Sequence, residues 1–130
     1  VLGLLRILYL MHQETQLLRS VLSLAVRDAY AAPTEGTVIA PEAFTAIDFL
    51  FFERSAEKYC SACDINYKWF IEKVWLWTRS PPKSGSTPAE QEIDNANKRR
   101  FRFNYQKVIE LHRQGIDTPW DFTEVEDDGD

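Results

Sequence analysis

Residues 55–77 read SAEKYCSACDINYKWFIEKVWLW. The stretch predicts two short helices joined by a tight bend. Ser55 is a candidate cap for a helix over 56–63, and Asn66 for a second over 67–78, because short oxygen-bearing side chains accept from the free N–H groups of a helix start. Asp64 stands where the chain must turn; after Gly and Asn it best tolerates a left-handed backbone. Cys60 is small enough to let two helix axes cross closely, Cys63 closes the first helix, and Ile65 plugs the core behind the bend. Phe70 and Val74 are four apart and share one inward face. Asn66, Tyr67, Lys68, Ile71, Glu72 and Trp75 are left for the outer face.

Outward from this pair the chain remains helical. Leu17, Leu18, Val21, Leu22, Ala25 and Ala29 recur at helical spacing and predict a first helix over 14–32, with Glu14 in its first turn and Pro33 as its stop. The apolar run before Met11 is a possible backward extension. Pro41 starts a second helix over 41–53, rich in Phe44, Ile47, Phe49, Leu50 and Phe51. Ser80 to Pro88 has the composition of a linker. Thr87, Pro88 and Glu90 form a capping box that opens a last helix over 88–114, and Gly115 ends it. Phe101, Tyr105 and Val108, with Leu111 and His112, are its expected inward stripe. Thr37 to Ala40 is the one weak strand candidate. The expectation is an all-α fold, a small domain of about five helices. Residues 11–79 form the helical core, 80–88 the linker, 89–115 a C-terminal helix packing on that core, and 116–130 an acidic tail.

Composition excludes several classes. A chain of 130 residues with 45% hydrophobic content can bury a core without metals or disulfides. Its net charge of -5 hides an asymmetry: Asp117 to Asp130 carries seven acids and no base, so the body is mildly basic. The first ten residues are too short an apolar run to cross a membrane. Val at position 1 points to a GTG start or to an upstream over-extension, with Met11 the expected start in the second case. Two cysteines, Cys60 and Cys63, do not make a secreted scaffold, so a reducing, cytoplasmic setting is expected. A structural zinc site wants four ligands, and neither a second Cys pair nor a nearby His supplies them. No nucleophile elbow, phosphate loop, Ser-His-acid signature or HExxH pattern occurs, so neither catalysis nor a cofactor or metal is expected.

Residues 55–77 resemble a helix-turn-helix, in which the second helix enters the major groove of DNA. The chain is also similar to small bacteriophage and prophage proteins. The likeness is carried by Leu-x-x-Val-Leu-x-x-Ala-Val-x-Asp-Ala at Leu18 to Ala29 and by the Cys60 to Val74 segment, about half the chain. That likeness implies a phage-type regulatory protein and names no ligand; the helix-turn-helix resemblance implies action by occupancy on double-stranded DNA, as a monomer or homodimer. Asn66, Tyr67, Lys68 and Glu72 would face the groove, and Lys73, Arg79, Lys98, Arg99 and Arg102 would meet phosphate. The rival is a non-catalytic adaptor that docks on a protein, such as a phage assembly component, which exposed aromatics at Trp75, Trp77 and Trp120 would favour.

Overall fold

The computed structural model describes residues 2–116 and, in the first helix, the side chains of residues 5, 6 and 12 onward. The protein is all-α. The helices are α1 (Leu2–Ala29), α2 (Pro41–Ile47), α3 (Ala56–Ala62), α4 (Tyr67–Arg79) and α5 (Pro88–Arg113), and among the described residues there is no strand. Trp120, Phe122 and the acidic tail lie outside the described residues.

Local chemistry explains most boundaries. Pro41 occupies the first turn of α2, where its missing N–H costs nothing. At α5, the Glu90 amide donates to Thr87 Oγ1 at 3.2 Å and the Thr87 amide donates to Glu90 Oε1 at 3.0 Å, closing the capping box. These bonds from Thr87 hold the Glu90 carboxyl below its ordinary range. Gly115, at φ 74°, ends the helix: its amide donates to the His112 carbonyl and that of Ile116 to the Leu111 carbonyl.

Three elements differ from expectation. First, α1 starts at Leu2, so Glu14 is a mid-helix residue, and the helix ends at Ala29, ahead of Pro33. Second, α2 runs into a π-helical turn over Asp48–Phe52, where the Glu53 amide donates to the Asp48 carbonyl at 2.8 Å. The wider turn sends consecutive side chains to different neighbours. Leu50 is fully buried, Phe51 packs against Trp75, Phe101 and Tyr105, and Phe52 against Tyr105 and His112. Third, His112 is not inward; it is exposed, and Nε2 sits 2.5 Å from Asp48 Oδ1.

The core gathers Leu22, Ala25 and Ala29 of α1, Phe44 and Ile47 of α2, Cys60 of α3, Val74 of α4, and Phe101, Val108 and Leu111 of α5. Ile39 and Ala40 are fully buried in a loop rather than a strand. Helix α5 packs on α1, α2 and α4 and so joins the first helix to the last in one core.

Candidate nucleic-acid interface

Helices α3 and α4 are separate, and Asp64 between them has φ 60°. The Ile65 amide donates to the Cys60 carbonyl at 2.8 Å and the Asp64 amide to the Ser61 carbonyl at 3.1 Å. This is a Schellman ending with Asp in the position usually held by Gly. It satisfies the last carbonyls of α3 and turns Ile65 toward the core, where it is partly buried. Left-handed backbone is costly for any residue with a Cβ. Asp64→Gly is therefore expected to raise stability by on the order of 1 kcal/mol, and Asp64→Ile to lower it by a similar amount. Urea unfolding midpoints check both; a destabilising Asp64→Gly would show that the carboxylate has a role beyond the bend.

Helix α4 begins at Asn66, whose Oδ1 accepts from the Trp69 amide at 2.9 Å. The cap thus uses the acceptor that was expected to read a base. Tyr67 is a clear correction. Its hydroxyl donates to the Leu50 carbonyl at 2.5 Å, and its ring lies beneath Arg54 at 4.8 Å. Burial pushes that hydroxyl's pKa up, with Arg54 opposing. Tyr67 therefore ties α4 to the π turn and is withdrawn from the groove-facing set. Lys68, Glu72 and Lys73 are exposed as expected. Near the bend, Glu57 and Asp64 share a depression with Asn66 and Tyr67, so the charge lining it is acidic.

The outer face of α4 is rotated from the expected one. Trp75 is half-buried against Phe51, Phe101 and Tyr105, and Trp77 packs on Tyr30 and Phe101, so neither is an exposed aromatic. The exposed apolar residues of α4 are Trp69 and Leu76, at 54% and 53%. With Lys73 they follow i, i+4, i+7 spacing, a signal present in the sequence but masked by the density of large apolar residues around it.

The C-terminal end of α4 collects the remaining cations. Arg79, Arg99 and Arg102 line a depression of about 360 Å³ with Lys98, Asn95, Thr78 and Ser80. Arg79 Nε donates weakly to the Trp75 carbonyl at 3.4 Å and Arg102 donates to the Thr78 carbonyl. Among the described residues no carboxylate pairs with these three arginines. Lys98 is the second correction: it is 4% exposed, donates to the Ser80 carbonyl at 2.9 Å and pairs with Asp94 at 2.5 Å. It serves the end of α4 and is not a free phosphate contact.

Arg100, which lies within the basic run from Lys98 to Arg102, and Asn104, which no sequence signal marks, complete this pattern. Arg100 donates to the Tyr30 carbonyl at 3.2 Å, and buried Asn104 donates from Nδ2 to the Ala29 and Ala31 carbonyls at 2.9 and 3.1 Å. Helix α5 thus carries two i, i+4 pairs of donors. Lys98 and Arg102 cap the C-terminus of α4; Arg100 and Asn104 cap that of α1. Helix ends leave carbonyls without intrahelical partners and carry partial negative charge, so cationic and amide donors are suited to them.

Cys60 and Cys63 are both buried free thiols, and burial pushes the Cys60 pKa up. Cys63 Sγ lies 3.7 Å from the Thr15 carbonyl and links α3 to α1. Among the described residues no cluster of three or more His, Cys, Asp or Glu is placed to hold a metal, and no helix is long and apolar enough to cross a membrane. No protein family, curated protein or solved structure matches the chain.

Proposed function

We propose that the protein is a non-catalytic, helix-turn-helix-type DNA-binding protein of phage or prophage kind, with a regulatory role through occupancy. Lys68 and Glu72 face the groove beside the Asn66 cap, while Lys73, Arg79, Arg99 and Arg102 hold phosphate. The observation that carries this reading is the convergence of three guanidiniums, unpaired by carboxylates, on one depression at the end of the helix following the bend. Guanidinium groups match phosphate geometry and release counterions on binding. The phage or prophage kinship rests on the resemblance of Leu18 to Ala29 and Cys60 to Val74.

Fluorescence anisotropy with a mixed-sequence duplex, over a range of salt, tests the proposal. Affinity is expected to fall steeply as salt rises. Arg79→Ala and Arg99→Ala should each weaken binding across all sequences and reduce the salt slope by about one. Arg102 is unsuitable for this test because it also caps α4. Absence of binding at low salt, with residues 117–130 removed to eliminate their acidic competition, would reject the reading.

A protein-docking adaptor is the second reading, favoured by the exposure of Trp69 and Leu76 on one face of α4. An amphipathic helix presents such i, i+4, i+7 anchors to a partner groove. Trp69→Ala that leaves DNA affinity unchanged but abolishes capture of a folded partner protein would move the assignment to this reading.

A further inference from the structure

Helix α1 is 28 residues long, about 42 Å at 1.5 Å per residue. Every described side chain before Thr15 (Leu5, Arg6, His12, Gln13 and Glu14) is exposed, whereas the residues it buries in its own core are Leu22, Ala25 and Ala29. An apolar helical half of this length is marginal in water without packing. In the sequence, Leu10, Leu17 and Leu24 recur at a spacing of seven, and Val21 lies between the last two. Leu17 is 66% exposed and Leu24 46%. Next to Leu24 and Val21 is an apolar depression of about 270 Å³ between α1 and α2, floored by Ala25, Ala46 and Phe49 and rimmed by the acids Asp28 and Glu42.

We propose that a second copy of this chain covers the seam, with the two α1 helices antiparallel about a two-fold axis at Leu17. A seven-residue leucine spacing is self-complementary, so the same helix is a fitting partner. Charge selects the direction. The antiparallel arrangement sets position 10 of the backbone opposite position 24 of the other copy. It brings Arg6 to Asp28 and Glu42 at the acidic rim, twice by symmetry. A parallel pair would stack Glu14 on Glu14, Asp28 on Asp28 and Arg6 on Arg6. The overlap from position 6 to position 28 is about 33 Å of helix, and it lays the first half of α1 along the apolar groove of the other copy. The inference is independent of DNA binding.

The test is sedimentation equilibrium of the full chain at micromolar to submillimolar concentration. A dimer of the 15.1 kDa chain is expected. Leu17→Glu places two carboxylates at the two-fold axis and should give a monomer with an unchanged helical spectrum. Arg6→Glu should weaken association by about ten-fold, from two lost ion pairs and the new repulsion, and adding Asp28→Arg should restore it. Orientation is read by oxidation: Leu17→Cys should form an intermolecular disulfide, and Asp28→Cys should not. A monomeric wild-type chain, a failed restoration in the double reversal, or a disulfide through Asp28→Cys would each overturn the proposal.

Discussion

Phe101→Ala is expected to lower the unfolding free energy by about 4 kcal/mol, within the range for emptying a buried aromatic position. Phe101 is fully buried where α5 crosses the end of α2 and α4. Its ring has Trp75 at 5.5 Å and Trp77 at 5.9 Å, both nearly perpendicular, with Phe51 at 6.1 Å. Edge-to-face geometry adds to area burial at each contact. Three rigid rings do not collapse easily into the space left by one, so a cavity term adds to the transfer term. Urea unfolding followed by Trp fluorescence reads the result directly, because two of the affected rings are indoles. Phe103→Ala is the control: this residue is 57% exposed and its loss should change stability by no more than about 0.5 kcal/mol. A loss of less than about 1 kcal/mol at Phe101 would mean that the aromatic cluster is not the centre of the fold.

Asn104→Leu should cost roughly 2–4 kcal/mol, since two carbonyls at the end of α1 would lose their donor in a buried place. Leu keeps the γ-branched shape of Asn and is the better helix former, so any loss of stability is not a matter of helix propensity. Asn104→Asp gives a sharper signature. A carboxylate there would face the Ala29 and Ala31 carbonyls with no proton to offer. Burial and those carbonyls raise the folded-state pKa of the new Asp above its unfolded value. The folded variant then binds more protons than the unfolded chain, so its stability must rise as pH falls through the raised folded pKa. Chemical denaturation at neutral and mildly acidic pH checks the sign. A variant as stable as wild type at neutral pH, or one that loses stability relative to wild type on mild acidification, would refute the capping role.

The same two residues show where reading the chain stops. Phe101 is recognisable because a large apolar group at helical spacing is inward on almost any helix of a small domain. Asn104 carries no such mark. Its burial depends on α1 ending beside it, 75 positions away in sequence. The basic run from Lys98 to Arg102 is equally ambiguous, since a cation that caps a helix and one that waits for phosphate are the same side chain. Tyr67 and the outer face of α4 went astray for a related reason. Eight of the residues from Tyr67 to Trp77 are aliphatic or aromatic, so several inward faces are compatible with the spacing, and Phe51 and Phe101 select one.

Read alone, the chain determined its helices and its breaks: Thr87, Pro88 and Glu90, Pro41, Asp64 and Gly115 act on hydrogen bonds within a few residues of themselves, so their effect is written locally. Only the tertiary structure decided which cations are occupied and which remain unpaired by carboxylates. That outcome depends on where α5 lays its donors against the unsatisfied carbonyl ends of α1 and α4. Lys98, Arg100 and Asn104 are taken up by those ends, Arg102 both donates to the end of α4 and lines the depression, and Arg79 and Arg99 stand beside it; no nearest-neighbour pattern encodes that division.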